Sequence, residues 1–507
     1  MSDPNATVSS SLPILAFAVP AVAGALVFLG RKLGRLYWQS LAIAGSAAVA
    51  LVGLLMLPDV VAGRALVSWG EEFRVDGLSA LLVLAIGLVG SLTAIYSVRY
   101  VAQPGLVSRL GEPAGERRMP VFYGLLLWFI ASMAWGCVTN NIIMLYVAVE
   151  ATTLASGFLV AFYWDRRALE AGYKYLMLLT IGITFALVGC VLIYASAAAT
   201  GSLAGRQALL ISEVRSVAHL IPARTALIAV AFLVIGFGTK AGIAPFHPWL
   251  PDAHAEAPTP ISVLLSGVMI KMAAYALART VSIFYPSLPQ LTVFLVALGV
   301  FTMLLGILAA LPQQDLKRLL AYSSVSQIGY VVVGVGLGTY LGCYGGLFHL
   351  LNHAFIKALL FMAVGAVIYA TGVRRIADLG GLSQRMPMTA ACFLVGALAI
   401  AGFPPLNGFM SKVTVYLALA QSGLWWAAVA AVLAGVLTMV VRVRAAVAVF
   451  GRAAPPDVGE KVVREVPAGM WAPMLALAAT CVVLGVFPQL VYPLLDQAAV
   501  VLATVGR

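Results

Sequence analysis

The sequence predicts an all-α polytopic membrane protein with about 14 transmembrane helices. Three observations predict it. Of the 507 residues, 62% are hydrophobic and only 10% charged, against about 25% charged in ordinary soluble domains. Apolar runs of roughly 20 residues, the length that crosses a bilayer core, recur from end to end. Basic residues gather in every second connection between those runs, as the positive-inside rule requires. That gathering also accounts for the formal net charge of +12; the expected partner is a lipid bilayer and not nucleic acid.

Taken in order, the spans fall at 11–30, 38–58, 78–98, 119–138, 141–163, 173–197, 225–247, 259–281, 289–310, 319–337, 341–370, 388–420, 424–446 and 470–494. Met1 to Ser11 holds no lysine or arginine, so it lacks a signal peptide's basic start and the first run is expected to be a retained helix. The runs at 341–370 and 388–420 are too long for one straight crossing and must tilt, break or extend beyond the bilayer. The second contains Ala401-Gly402-Phe403-Pro404-Pro405-Leu406-Asn407-Gly408, which should unwind it.

Fourteen crossings put both termini on one side. Connections after odd-numbered spans hold twenty lysines and arginines, from Arg31, Lys32 and Arg35 through Arg109 and Arg117 to Arg442, Arg444, Lys461 and Arg464. The other side holds seven, among them Arg206, Arg215, Arg279 and Arg507. The excess places the odd connections in the cytoplasm of a bacterial inner membrane and both termini outside.

Four lysines remain, and all fall within spans: Lys240, Lys271, Lys357 and Lys412. Lys240 lies in Gly238-Thr239-Lys240-Ala241-Gly242-Ile243-Ala244-Pro245, where glycines and a proline must interrupt the seventh span. Broken backbone at membrane depth has to line protein or a water-filled cavity. Lys412 follows the second interruption, 172 residues on. Spans 4–8 and 9–13 thus form two five-helix units, each with a broken helix and a lysine, and an odd helix number inverts the second unit in the membrane. The chain divides accordingly into 1–118 (peripheral helices 1–3), 119–281 (first unit), 289–446 (second, inverted unit) and 447–507 (cytoplasmic connection and last helix).

Intramembrane ionisable residues are costly and by default functional. Glu150, in Val147-Ala148-Val149-Glu150-Ala151-Thr152-Thr153, is the clearest acidic residue within a span. It reads either as a structural ion pair or as a carboxylate whose charge state switches when a cationic partner moves. Lys240 and Lys271 are the candidate partners. His349, His353 and Lys357 recur every four residues, on one helix face. Two histidines at that spacing can bind metal, but no acidic or cysteine third ligand lies nearby, and a relay of titratable groups fits better. His247, Asp252, His254 and Glu256 follow the first break, at the cytoplasmic end of span 7 and in its loop; a solvated loop and a proton-uptake path are both open readings. Lys317 opens span 10 as an ordinary anchor or as part of the central row. Cys137, Cys190, Cys343, Cys392 and Cys481 lie apart in apolar spans, so no cysteine-ligated redox centre, metal or other bound cofactor is expected in this chain.

These residues resemble a known family. The Glu150 helix, GTKAGIAPFHPWLPDAHAEAPTPIS, IKMAAYAL, DLKRLLAYSSVSQIGY, HAFIKALLF and GFPPLNGFMSK are similar to the antiporter-like, proton-translocating subunits of respiratory complex I and of Mrp cation/proton antiporters. The resemblance covers most of 75–450. It implies an ion pair of Glu150 with Lys240, a connecting Lys271, a central axis of His349, His353 and Lys357, and a terminal Lys412. Within the family, the stretch from Val147 to Leu187 most resembles the hydrogenase-4 component F type, found in membrane-bound hydrogenase and formate hydrogenlyase complexes. Several complex I subunits carry glutamate where this chain has Lys412.

The expected function is proton translocation by one membrane subunit of a redox-driven complex, of hydrogenase-4 or NADH–quinone oxidoreductase type, with other membrane subunits as partners and protons or Na⁺ as cargo. The alternatives are an Mrp-type antiporter subunit or stand-alone secondary transporter, a subunit energising inorganic-carbon uptake, and a structural scaffold, which would have no reason to carry buried charge.

Overall fold

The computed structural model describes residues 6–103, 114–203, 205–453 and 463–503, without the side chains of 114–117. Arg109, Lys461, Arg507 and the Arg117 side chain, counted above, lie outside the described residues. The helices in order are α1 (Leu12–Leu29), α2 (Arg35–Val61), α3 (Gly77–Tyr100), α4 (Ala114–Val138), α5 (Ile142–Val160), α6 (Arg166–Ala199), α7 (Ala223–Ala241), α8 (Trp249–Glu256) and α9 (Thr259–Phe284). There follow α10 (Gln290–Ala310), α11 (Leu316–Gly336), α12 (Tyr340–Thr371), α13 (Pro387–Ala401), α14 (Asn407–Gln421), α15 (Trp425–Gly451), α16 (Ala468–Val486) and α17 (Tyr492–Leu502). Among the described residues, thirteen helices are long and apolar enough to cross a membrane. The expected twelfth crossing, 388–420, is split into α13 and α14. The last expected span, 470–494, is instead α16 with the separate short α17.

The connections alternate between two faces. On one, a three-stranded sheet that the sequence did not announce joins β1 (Thr7–Ser9), β2 (Ala65–Ser68) and β3 (Phe73–Val75), parallel then antiparallel. There too Phe73 bridges Thr139, Asn141 bridges Leu210, and Arg215 donates to the Val501 carbonyl and to Ser282 Oγ. Both described chain ends therefore lie at this face. On the other face the Leu316 N–H donates to the Arg374 carbonyl and the Ile376 N–H to Gln314. Glu465 caps the start of α13 by accepting from the Met388 and Thr389 N–H groups.

α9, α11 and α12 form the centre and are buried on nearly every side. The peripheral helices turn Leu51, Phe158, Ile181 and Val429 outward, the arrangement of a protein solvated by lipid. α12 crosses unbroken despite its 32 residues; α9 carries a π turn at Leu265–Met269, which inserts one residue into the helical ladder.

α7 and α13 stop at equivalent turns. Gly242 (φ 76°) and Gly402 (φ 85°) are left-handed, a conformation glycine adopts without a Cβ clash. The Ile243 N–H then donates back to the Gly238 carbonyl and the Phe403 N–H to Leu398, closing both helix ends with the same 6→1 bond. Superposing these turns gives a register of 160 residues, which matches Lys240 with Ile400 and Lys412 with Asp252. The lysines 172 apart are thus not positional counterparts: Lys240 precedes its break and Lys412 follows its own.

The stretch after the first break is also not a loop. α8 holds Asp252, His254 and Glu256 in helical backbone. Pro251 does not prevent this, because it lies in the first turn, where the missing N–H would have had no helical acceptor.

Candidate functional site

Glu150 stands half-buried at the middle of α5, while Lys240 is buried in the last turn of α7. They do not form the expected direct ion pair. The Thr153 hydroxyl stands between them, accepting from Lys240 Nζ at 2.8 Å and donating to Glu150 Oε2 at 3.2 Å. Glu150 Oε1 accepts from Thr180 Oγ1 at 3.1 Å. Thr153 sits one helical turn beyond Glu150 on the same face, so the sequence had placed a hydroxyl exactly where it intervenes, within reach of both charges. Lys240 Nζ also lies 5.6 Å from the centre of the Tyr175 ring. The Tyr175 hydroxyl reaches Ser156 Oγ at 2.5 Å and Met269 Sδ at 3.3 Å. Tyr175 therefore spans the distance from Lys240 to the π turn of α9.

Lys271 follows that turn and donates to the Ser266 carbonyl inside it; Ser266 Oγ in turn contacts Ser324 Oγ of α11 at 2.7 Å. His254 is buried against Phe361, ring centroids 4.7 Å apart, in the field of Lys317, Lys357 and Lys271. Neither His254 nitrogen has a partner. Lys317 Nζ donates to the Ala257 carbonyl at the end of α8, 2.5 Å away, which makes it a buried member of the centre and not a solvated anchor.

α12 carries His349 and His353 with rings nearly parallel and centroids 6.0 Å apart. His349 Nδ1 meets Ser411 Oγ at 3.1 Å, while His349 Nε2 and both His353 nitrogens are buried without partners. His353 lies in the field of Lys271, Lys357, His349 and Lys412, and so joins the two halves electrostatically. Lys412 reaches back across the second break to the Ile400 and Ala401 carbonyls, at 2.7 and 3.4 Å. These are orphan carbonyls at the C-terminal end of α13, where the helix dipole favours a cation.

Lys357 donates to the Leu320 carbonyl at 2.8 Å and to Ser323 Oγ. The same Ser323 oxygen accepts from Arg442 Nη2. Arg442 is 1% exposed, and its Nε and Nη1 have no partner. From sequence Arg442 groups with the cytoplasmic connections, because it stands two residues from Arg444 near the end of an apolar run. α15 continues to Gly451 and draws Arg442 inside. Arg279, likewise counted as a surface cation, is part of a bidentate pair with Asp76, at 2.5 and 2.8 Å. Burial acts to raise the Asp76 carboxyl, but the Arg279 charge and hydrogen bonds outweigh it and pull it down to about 2.

The acidic groups of α8 belong to the surface. Asp252 pairs with Arg318 at 3.0 Å and Lys174 at 3.7 Å; Glu256 pairs with Arg374 at 3.1 Å, and Arg374 also holds Asp315 at 2.9 Å. His247 is half-buried near Tyr322. Of the four residues after the first break, the structure brings only His254 into the central row.

Residues 139–438 match the family described as NADH:quinone oxidoreductase/Mrp antiporter, transmembrane. The chain belongs to this family. It is 33% identical to NADH-quinone oxidoreductase subunit N of Desulforudis audaxviator, over 95% of this chain and 97% of that one. It is 35% identical to a hydrogenase-4 component F homolog of Methylacidiphilum infernorum, over 68% and 72%. Its fold matches a chain of the archaeal membrane-bound sulfane sulfur reductase with a TM-score of 0.84 and 27% identity, covering 97% and 98%. It is therefore an antiporter-like membrane subunit of the complex I, hydrogenase-4 and Mrp class.

Four buried lysines of this antiporter-like subunit share a mode of solvation. Lys271, Lys317, Lys357 and Lys412 each donate to a backbone carbonyl. Three of those carbonyls are ones that a straight α-helix would not offer, at the π turn, the end of α8 and the end of α13. Helix interruptions here supply oxygens to cations, as they do in transporter cores.

Proposed function

We propose that the subunit conducts protons along this row, driven by redox chemistry in partner subunits. A signal alters the Glu150–Thr153–Lys240 link; Lys240 releases its proton toward Lys271 past Tyr175; and His353, His349 and Lys357 pass it to Lys412. The observation that carries the reading is the set of unpartnered nitrogens on His254, His349 and His353, each buried in the field of two or more of Lys271, Lys317, Lys357 and Lys412. Buried polar atoms are rarely left unbonded, and lipid offers them nothing, so water is the partner their chemistry demands, and water completes a proton path.

The cargo is H⁺ in this proposal. Among the described residues no aspartate or glutamate is fully buried, whereas a hard cation such as Na⁺ seeks oxygen ligands and carboxylates. Partner subunits would carry the electrons and the cofactors. The face rich in arginine would be cytoplasmic and the face of both chain ends external, with 119–281 and 289–446 as the two working halves.

The test is the whole complex reconstituted in liposomes, with redox-driven acidification followed by a pH-sensitive dye. Glu150→Gln should abolish pumping and leave assembly and electron transfer intact. Pumping at the wild-type ratio in that variant would overturn the proposal. Dependence on Na⁺, with protons moving in exchange, would favour a cation/proton antiporter instead.

A further inference from the structure

Arg442 differs from every other charge in the row. A guanidinium stays protonated in proteins, whereas a lysine or histidine can give its proton up. Arg442 is therefore a permanent charge among groups whose charge comes and goes. It stands nine residues before the end of α15, the end that packs on Ile376–Asp378 at the face where Leu316 bonds the Arg374 carbonyl. Lys357 is midway along α12. The Ser323 hydroxyl joins the two: it accepts from both and donates its own proton to the Leu320 carbonyl at 2.8 Å. Its acceptor capacity is thus shared between two cations.

Among the described residues no acidic group pairs with Arg442 to cancel its charge. α15 packs on α10, α11, α13 and α14, and its last turn on Ile376–Asp378 and Leu382–Arg385, where Asp378 makes no ion pair with Arg442. α10 carries no titratable side chain, and α13 carries only Cys392. α14 brings Lys412, which lies in the field of Arg442, and Lys357 approaches from α12. On α11, Arg318 is engaged with Asp252, Lys317 with the Ala257 carbonyl and Tyr330 with the Ala431 carbonyl, while Tyr322 stands near His247. On α15 itself Arg444 turns away to the Leu311 carbonyl. Among the described residues no carboxylate makes an ion pair with Arg442.

We propose that Arg442 is a fixed-charge barrier at the cytoplasmic flank of the row, which keeps protons on Lys357 from returning to the cytoplasm and turns their exit toward Lys412. Arg442 is a positioning residue in this scheme: it acts through Ser323 and Lys357 and never carries the proton. Its two free nitrogens, Nε and Nη1, carry three N–H groups and can hold water by donation only. A water bound that way faces the arginine with its oxygen and cannot be protonated there without meeting the like charge, so the hydrated flank conducts poorly.

The inference rests on the proton-conduction reading, and one experiment separates the two. The assembled complex is reconstituted without redox substrate, and passive proton leak down an imposed gradient is measured beside redox-driven pumping. Arg442→Gln should raise the leak about tenfold, the low end of what a unit charge within ~4–6 Å does to proton occupancy. Arg442→Lys should restore a tight membrane, and adding Lys357→Met to Arg442→Gln should remove the leak. An Arg442→Gln complex as tight as wild type overturns the inference, and so does a leak that survives Lys357→Met. If Arg442→Gln does not assemble, Ser323→Ala, which frees Arg442 from the shared oxygen, is measured the same way, and an unchanged leak there overturns it. Lys357→Met alone that pumps at the wild-type ratio refutes the conduction reading itself.

Discussion

Thr153→Val is the sharpest perturbation of the first half. The two side chains have nearly the same shape, so the change removes a hydroxyl and little else. That hydroxyl is the only hydrogen-bond partner of Lys240 Nζ among the described residues, at 2.8 Å, and one of two for Glu150. A hydrogen bond to a charged group contributes about 1.5–3 kcal/mol. Losing the Lys240 bond alone therefore changes the balance of the pair by roughly 10–150-fold, at about 1.4 kcal/mol per factor of ten. If the Glu150–Thr153–Lys240 link is what the driving signal alters, redox-driven proton uptake into proteoliposomes should fall by at least about tenfold. Electron-transfer turnover of the assembled complex should stay near wild type. Thr153→Ser, which keeps the oxygen, should recover most of the pumping. A Thr153→Val complex with an unchanged ratio of protons to electrons would refute the reasoning and leave Thr153 as a packing residue.

Four further outcomes follow from the same geometry. Lys412→Gln keeps a donor for the Ile400 carbonyl but not a titratable charge, so the complex should assemble and fail to pump, as co-purification and dye quenching would show together. Asp76→Asn leaves Arg279 buried beside a neutral group, and breaking such a pair costs about 3–5 kcal/mol, so thermal melting of the purified complex should drop clearly. The Asp76 carboxyl is held at about 2; its contribution is complete at neutral pH and fades only as pH falls from the ordinary carboxylate range toward 2, so melting between pH 5 and 8 should not move on its account. Asp252→Asn removes partly exposed ion pairs that are worth less than about 1 kcal/mol each; pumping should change less than twofold, and a large loss would restore Asp252 to the proton path.

The fold was legible because hydropathy states span length almost directly, and thirteen helices plus one broken crossing recover the expected fourteen. What sequence could not see is geometry that depends on where a helix stops. Arg442 looked like a loop cation because it stands with Arg444 and Arg452 at the end of an apolar run, and only the extension of α15 to Gly451 encloses it. His254 sat in a proline-rich stretch that read as loop, although a proline in a first turn costs a helix nothing. Thr153 was visible beside Glu150, but a hydroxyl gives no hint in one dimension that it will stand between two charges. The π turn under Lys271 has no signature in Leu265–Met269 at all. Lys240, Lys271, His349, His353, Lys357 and Lys412 were legible for the opposite reason: a charge inside an apolar run is conspicuous whatever the packing.

The two interrupted helices enter from opposite faces, α7 from the face of the chain ends and α13 from the other. A structure that repeats itself upside down looks the same when the leaflets are exchanged, and something that looks the same from both sides has no means of telling forward from backward. The displaced lysine breaks that equivalence. Lys240 lies before its break and Lys412 after its own, so both belong to the half-helix anchored at the face of the chain ends. The two breaks close with the same turn from opposite faces, while the lysines do not follow that correspondence. A chimera that moved the second lysine to position 400, where strict inversion would put it, would restore the symmetry and should lose the sense of direction before it loses the fold.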